Sequence, residues 1–254
     1  MDLALPAPLS AMVIAAFLAF CRIGACFMVM PGLASIRVPV QIRLYVAVAV
    51  TFALLAHLWD FLIPFVSSRP DALLILIVSE VLIGALIGLV ARFYLLAVQF
   101  IGSAMAMMSG YGGMGGPAIE EPEPQAALGA IISLSVLMLL FVFDFHHEII
   151  RALVDSYRVA PVDTFYNPAS ALSDMSATLS EAFLVMLRLG SPFIAYAVLV
   201  NLAVGLLNKL TPQIPIYFIS LPFVLAGGLI LTYFAIGPFL SLAVDGFLPS
   251  TIAR

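Results

Sequence analysis

Residues 72–108 read ALLILIVSEVLIGALIGLVARFYLLAVQFIGSAMAMM, a stretch that is apolar almost throughout. Taken as one helix with a rise of about 1.5 Å per residue, it would reach ~55 Å. The hydrocarbon core of a bilayer is only about 30 Å thick. Such a helix must project out of a bilayer, bend, or sit in a protein assembly rather than in lipid.

The composition of the whole chain fits this stretch. The chain has 254 residues, of which 64% are hydrophobic and 9% are charged, and its mean hydropathy is +1.19. An average soluble domain is about 45–50% apolar and about 25% charged. Too few ionisable groups are present to cover a water-facing surface, so a soluble globular enzyme is excluded. The formal net charge of −4 offers no basic footprint for nucleic acid.

The apolar residues fall into five or six segments long enough to span a membrane. We place them at residues 9–30, 44–66, 72–108, 125–143, 169–208 and 216–247. All regular structure is predicted to be helical, which gives an all-α, membrane-associated protein with long, bent helices. Bends or breaks are expected in the last segment at Pro222, Gly227-Gly228 and Gly237-Pro238. Lys and Arg residues in alternate connectors divide three against four, so the positive-inside rule gives no orientation.

Two features near the N-terminus have ordinary interpretations. The first charge is Asp2, and the apolar run from Leu3 continues past Arg22, so we predict a retained first helix rather than a cleaved signal. Cys21 and Cys26 lie five residues apart in this run. That spacing fits neither a zinc pair nor a redox motif, and both thiols are predicted to pack in the core.

Ionisable residues inside the apolar segments are costly and need partners. Four stand out, namely Arg22, Glu80, Arg92 and Arg188. Glu80, Gly84, Gly88 and Arg92 follow one another at i, i+4 spacing, so two glycines lie between two charges on one ribbon of a helix. Glu80 and Arg92 would be ~18 Å apart along that helix, too far to pair with each other. The glycines favour close approach of a second helix, either in a multi-subunit assembly or in internal packing with snorkelling charges.

The segment SGYGGMGGPAIEEPEP, residues 109–124, cannot sustain a helix because of its glycines and prolines. Methionines gather around it, and their adaptable side chains can close over a hole. These methionines are Met105, Met107, Met108 and Met114. We hypothesise that the segment is a mobile element that plugs a passage. The alternative is an ordinary exposed connector.

Asp144, His146, His147 and Glu148 form the one cluster that resembles metal or acid–base chemistry. It lacks the HExxH order and an obvious third and fourth ligand, and it lies where a helix leaves the apolar zone. We therefore interpret it as a group of solvated polar residues. We predict no catalytic site, metal or cofactor.

Three stretches resemble the FliR family of flagellar type III export gate subunits. They are RIGACFMVMPG with VPVQIRL between Arg22 and Leu44, EVLIGALIGL from Glu80 to Leu89, and NLAVGLLNKLTPQIPIYF from Asn201 to Phe218. The resemblance covers nearly the whole chain, and the last stretch is the most specific. It implies a location in the flagellar basal body of the bacterial inner membrane. It also implies co-assembly with FliP-type and FliQ-type subunits, with FlhA-type and FlhB-type export proteins as further partners.

The resemblance further implies a FliP-like half at residues 1–160 and a FliQ-like helical hairpin at residues 161–254. The loop at 105–124 would project into a central pore as a plug that unfolded export substrates must pass. The implied gating residues are Met105, Met107, Met108, Gly112, Gly113, Met114, Gly115 and Gly116. The expected interface residues are Arg22, Glu80, Gly84, Gly88, Arg92, Asn201, Asn208, Lys209, Pro212 and Gln213. A homologous virulence-system subunit, a small-solute transporter and a membrane enzyme centred on His146 and His147 remain as alternatives.

Overall fold

The computed structural model describes residues 9–63, 70–112, 126–162 and 168–252. In this part of the chain the regular structure consists of α-helices, as predicted. They are α1 (Leu9–Val29), α2 (Val40–Leu62), α3 (Pro70–Met108), α4 (Ala127–Val142), α5 (Phe145–Val159), α6 (Pro168–Leu210) and α7 (Ile216–Ile252).

Five of these helices are long and apolar enough to cross a membrane, and the count becomes six if α4 and α5 are taken as one bent span. The prediction of five or six spanning segments is therefore confirmed for the described residues. The long third segment is a single helix of 39 residues.

Local sequence accounts for several helix boundaries. The helix α2 begins directly after Pro39, whose missing N–H would have had no partner in the first turn. Pro212 and Pro215 lie in the turn that separates α6 from α7. The N–H of Thr211 donates to the carbonyl of Leu207 and closes the last turn of α6.

The last apolar segment forms one helix. The helix α7 is continuous from Ile216 to Ile252 and runs through Pro222, Gly227-Gly228 and Gly237-Pro238. Of the bends or breaks predicted at these residues, breaks do not occur, and bends stay a prediction. A proline removes one intrahelical hydrogen bond, and the remaining bonds of a helix this long keep it intact.

Packing divides the chain into two compact units. The first contains the chain up to Arg92 together with residues 144–176, and the second contains residues 93–143 and 177–254. The first unit thus holds α1, α2, α5 and the first part of α3. The second holds the rest of α3, α4, most of α6 and all of α7. The proposed halves at 1–160 and 161–254 rest on resemblance to other subunits, so this division by packing leaves them a prediction.

Candidate functional site: a buried ion pair and a capped loop stem

A buried ion pair joins α1 to α3 within the first unit. Arg22 donates from Nε to Oε2 of Glu80 at 2.8 Å and from Nη2 to Oε1 at 2.7 Å. Both side chains are completely buried. The two parallel bonds use the planar fork of the guanidinium, which makes this a bidentate, charge-assisted contact. Glu80 therefore finds its partner inside the chain, on a different helix.

The glycines that follow Glu80 let the two helices come this close. A Cβ added at Gly84 would overlap the backbone carbonyl of Arg22, and one added at Gly88 would lie 2.6 Å from the carbonyl oxygen of Cys26. Arg22 and Cys26 are themselves one helical turn apart. The backbone of α1 thus lies directly on the glycine face of α3, an arrangement that larger side chains would prevent.

The same arginine also holds the end of α5. Its Nη1 donates to Oγ of Ser156 at 2.9 Å, and its Nη2 donates to the carbonyl oxygen of Ala160 at 3.0 Å. Ala160 is the C-terminal cap of α5, so the guanidinium satisfies a carbonyl that the helix itself leaves open. The guanidinium carbon lies 3.8 Å from the centre of the Tyr157 ring. Arg22 therefore ties three helices together.

The other two of the four residues singled out from the sequence differ from this pair. Arg92 is half-buried, and Arg188 is exposed. Ser156, Tyr157 and Ala160 were not singled out from the sequence. A signal for them exists in the one-sided pattern of α5, because Phe145, Ile149, Leu153 and Tyr157 recur every four residues on its buried face.

The candidate gating loop begins with a fixed cap on α3. Gly110 has φ +84°, the left-handed conformation that glycine adopts without steric penalty. The N–H of Tyr111 bonds to the carbonyl of Ala106 at 2.8 Å, and the N–H of Gly110 bonds to that of Met107 at 3.2 Å. This pair of bonds is a Schellman motif, which ends a helix in a defined direction.

The predicted gating methionines near this cap are in different environments. Met105 is completely buried within the second unit, Met108 is half-buried and Met107 is 70% exposed. Gly112 is exposed. Gly113, Met114, Gly115 and Gly116 lie outside the described residues, as does the remainder of the loop to residue 124.

Ser109 and Tyr111, near the end of the described part of the loop, contact α7. Sequence reasoning missed both residues. The Tyr111 hydroxyl donates to the carbonyl of Leu225 at 3.0 Å. Ser109 is buried against Gly228, where an added Cβ would lie 2.7 Å from the Cβ of Ser109. The detectable signal was the glycine two positions beyond Met108, which marks a helix cap.

The predicted interface residues near the turn between α6 and α7 are all exposed. They are Asn201, Asn208, Lys209, Pro212 and Gln213. Large apolar side chains around them are exposed as well, including Leu210 at 76% and Phe218 at 79%. The exposed apolar surface around this turn requires lipid or another protein to cover it.

The polar cluster at the start of α5 is also on the surface. One ligand atom from each of Asp144, His146 and His147 lies within 4.8 Å of the others, and Asp144 and His147 are exposed. Asp144 has φ 58°. Glu148 pairs with Arg151 instead. These contacts suit solvated polar residues at a bend between two helices.

These features define the class of protein: it is a membrane-embedded helical protein with a buried ion pair and a capped loop. The chain matches the family described as "Bacterial export proteins, family 1" over residues 13–248. The chain therefore belongs to this family of bacterial export proteins, and the resemblance predicted from the sequence is confirmed.

The relatives agree with the family match. The chain is 30% identical over 211 residues to the "Flagellar biosynthetic protein FliR" of Caulobacter vibrioides, which covers 82% of each chain. It is 30% identical to the protein of that name from Escherichia coli, over 82% of this chain and 78% of the relative. The Aquifex aeolicus relative is 26% identical over 84% of this chain and 82% of its own length. Together with the spanning helices, these matches support the predicted location in the bacterial inner membrane.

Proposed function

We propose that this chain is a channel-forming subunit of the flagellar type III protein export gate. It would help to form and seal the pore through which unfolded flagellar proteins pass. Its core partners would be FliP-type and FliQ-type subunits, with FlhA-type and FlhB-type export proteins alongside. The observation that carries this proposal is the family match over residues 13–248, joined by flagellar relatives aligned over about four fifths of the chain.

The relatives favour a flagellar system over a virulence secretion system. Those from Caulobacter vibrioides, Escherichia coli and Aquifex aeolicus are all flagellar biosynthetic proteins by name. Family membership also favours export over the transport of small solutes or catalysis. The chain would therefore serve as a structural element of a flagellar apparatus.

The exposed apolar surface supports a place among other subunits. Of the most apolar 18 residues of each helix, 11% are buried within the chain in α7, compared with 50% in α1. The helix α3 has 39 residues and so extends about 58 Å, longer than a bilayer core requires. An assembly would cover the apolar faces of α6 and α7 and would accommodate the length of α3.

Sealing is assigned to the loop at 105–124. Its methionines can repack around varied polypeptides because the side chain is unbranched and polarisable. Met107 already presents its side chain at the end of α3. In this proposal the chain supplies the pore wall and its closure, while other components of the apparatus supply the driving force.

Deleting Gly112 to Gly116 tests the sealing role. We expect the complex with FliP and FliQ to assemble in normal amounts and the resting membrane to leak ions. The measurement is membrane conductance in cells that carry the variant complex, with complex yield as the control. Unchanged conductance at normal yield would refute the plug.

Co-purification tests the assembly role. An export-gate subunit expressed alone leaves its apolar faces uncovered and should aggregate, whereas joint expression with FliP and FliQ should yield a monodisperse complex. A transporter would be stable and active alone. A functional, monodisperse chain without partners would therefore count against the export-gate proposal.

A further inference from the structure

The start of α5 brings three side chains with metal-binding atoms together. Asp144 precedes the helix as its N-terminal cap, and His146 and His147 lie in its first turn. One ligand atom from each side chain lies within 4.8 Å of the others. From the sequence no third ligand was apparent and no metal was predicted, because the order of residues does not show where the Asp144 carboxylate lies.

The Asp144 carboxylate lies next to both imidazoles. Its Oδ1 is 3.4 Å from Nδ1 of His147 and 3.9 Å from Nε2 of His146. An aspartate at the N-terminal cap ordinarily accepts hydrogen bonds from backbone N–H groups of the first turn. Within the described range 126–162, the Asp144 side chain makes no such bond to α5. The carboxylate is therefore available to a ligand that the two histidines share.

The two histidine rings lie side by side. Their centres are 4.2 Å apart, with an angle of 40° between the ring planes. The ring of His146 also packs in a T-shaped arrangement against Phe145, which is completely buried. The side chains of His147 and Asp144 are 61% and 71% exposed and so are able to adjust. Small rotations bring their ligand atoms to the separation of about 3.3 Å that bonds of about 2.0–2.1 Å to one tetrahedral ion require.

We propose that Asp144, His146 and His147 form a binding site for a divalent transition-metal cation such as Zn²⁺. Two imidazoles and one carboxylate suit zinc and its neighbours in the first transition row, whereas magnesium prefers oxygen ligands and water. Three protein ligands leave a fourth position to water. Glu148 is not a member of the site, because its carboxylate pairs with Arg151. The site does not depend on the proposed export function.

A bound cation fixes the beginning of α5. All three ligands belong to the first unit, as do α1 and the rest of α5. The end of α5 is already held by Arg22, whose guanidinium donates to the carbonyl oxygen of Ala160. The negative charge of Asp144 offsets part of the unfavourable interaction between a cation and a helix N-terminus. Metal binding thus holds α5 at both ends and stabilises the first unit.

The test counts Zn²⁺ on the full-length protein in detergent, alone or with the subunits that co-purify with it, and without a histidine tag. Equilibrium dialysis against Zn²⁺ followed by elemental analysis gives the metal bound per chain. In Asp144→Asn and in His147→Ala we expect one Zn²⁺ per chain to be lost or its Kd to rise at least about 10-fold. Asparagine also tolerates the left-handed backbone of residue 144, where φ is 58°. The matched control is His57→Ala, which removes an exposed histidine of α2 that lies outside the cluster.

The thermal midpoint gives a second measurement. At about 100 times its Kd, a single bound ion should raise the midpoint of the wild-type protein by about 5–10 °C. Asp144→Asn should lose this increase, and His57→Ala should keep it.

Three results would overturn the site. The first is equal Zn²⁺ binding by the wild-type protein and both cluster variants. The second is an equal loss in His57→Ala, which would mean that Zn²⁺ binds scattered surface histidines. The third is displacement of the bound Zn²⁺ by equimolar Mg²⁺, which would reduce the contact to attraction by the Asp144 charge.

Discussion

Substituting Gly84 with Ala should separate α1 from α3. The added Cβ would meet the carbonyl oxygen, the carbonyl carbon and the Cα of Arg22, all of them backbone atoms. Backbone cannot turn aside as a flexible side chain can, so the two helices must move apart. The backbone of Arg22 takes part in this clash, and its side chain forms the ion pair with Glu80. Moving α1 away from α3 therefore also strains the Arg22–Glu80 contact.

The size of the effect follows from opposing contributions. Overpacking of a tight contact typically costs about 1–3 kcal/mol, and loss of one partner from a buried ion pair costs about 3–5 kcal/mol. Alanine recovers up to ~1 kcal/mol over glycine through helix propensity. Because the clash is with backbone, we take the overpacking cost at its upper end and expect Gly84→Ala to destabilise the chain by about 2 kcal/mol with the ion pair intact and by about 5–7 kcal/mol where the ion pair is lost.

Gly24→Ala is the matched control. Gly24 lies on α1 in the same unit, and a Cβ added there would meet only the Phe20 ring, at an ordinary contact distance of 3.4 Å. The measurement is the midpoint of thermal denaturation of the purified protein in detergent. For a domain of this size 1 kcal/mol corresponds to about 2–4 °C, so Gly84→Ala should lower the midpoint by at least ~4 °C. Equal midpoints for the two variants would refute the close crossing of α1 and α3.

Two further predictions concern the ion pair and the contact between Ser109 and α7. Glu80→Ala should reduce complex yield, because it leaves the Arg22 charge buried without its carboxylate at a cost of about 3–5 kcal/mol, whereas the double replacement Arg22→Met with Glu80→Leu should cost less than the single change. Equal losses for the single and double variants, measured by thermal denaturation, would contradict this explanation. Gly228→Ala should push Ser109 off α7 and lower the midpoint of thermal denaturation, at a cost of about 1–3 kcal/mol. Gly237→Ala, which has open space around it, should leave the midpoint unchanged.

Hydropathy and helix-ending residues were sufficient to predict most of the fold. The apolar segments became helices, and the connector expected between residues 208 and 216 separates α6 from α7. Glycine and proline residues in α7 predicted bends or breaks, and the helix is unbroken because its hydrogen bonds outnumber those that one proline removes. Local pattern therefore predicts which residues are helical more reliably than whether a long helix is interrupted.

The candidate site was less accessible to sequence reasoning. The cost of a buried charge made clear that Glu80 needs a partner, but Arg22 lies 58 positions away and no local spacing connects them. The two glycines indicated close approach without identifying α1 as the neighbour. Tyr111 looked like an ordinary residue of a glycine-rich loop, because its contact with Leu225 depends on the packing of the end of α3 against α7. Long-range contacts of this kind exist only once the helices have packed.

The position of Arg22 early in the chain has a consequence for biosynthesis. Glu80 is synthesised 58 residues after Arg22 and Ala160 follows 138 residues after it. At translation rates of about 5–20 residues per second, α1 emerges several seconds before its carboxylate partner exists. A charge at the centre of a bilayer costs about 2.5–3.5 kcal/mol on insertion scales. The other, apolar residues of α1 must therefore be sufficient to insert this helix into the membrane. The charge of Arg22 is paired later, when α3 has been synthesised and brings Glu80 to it.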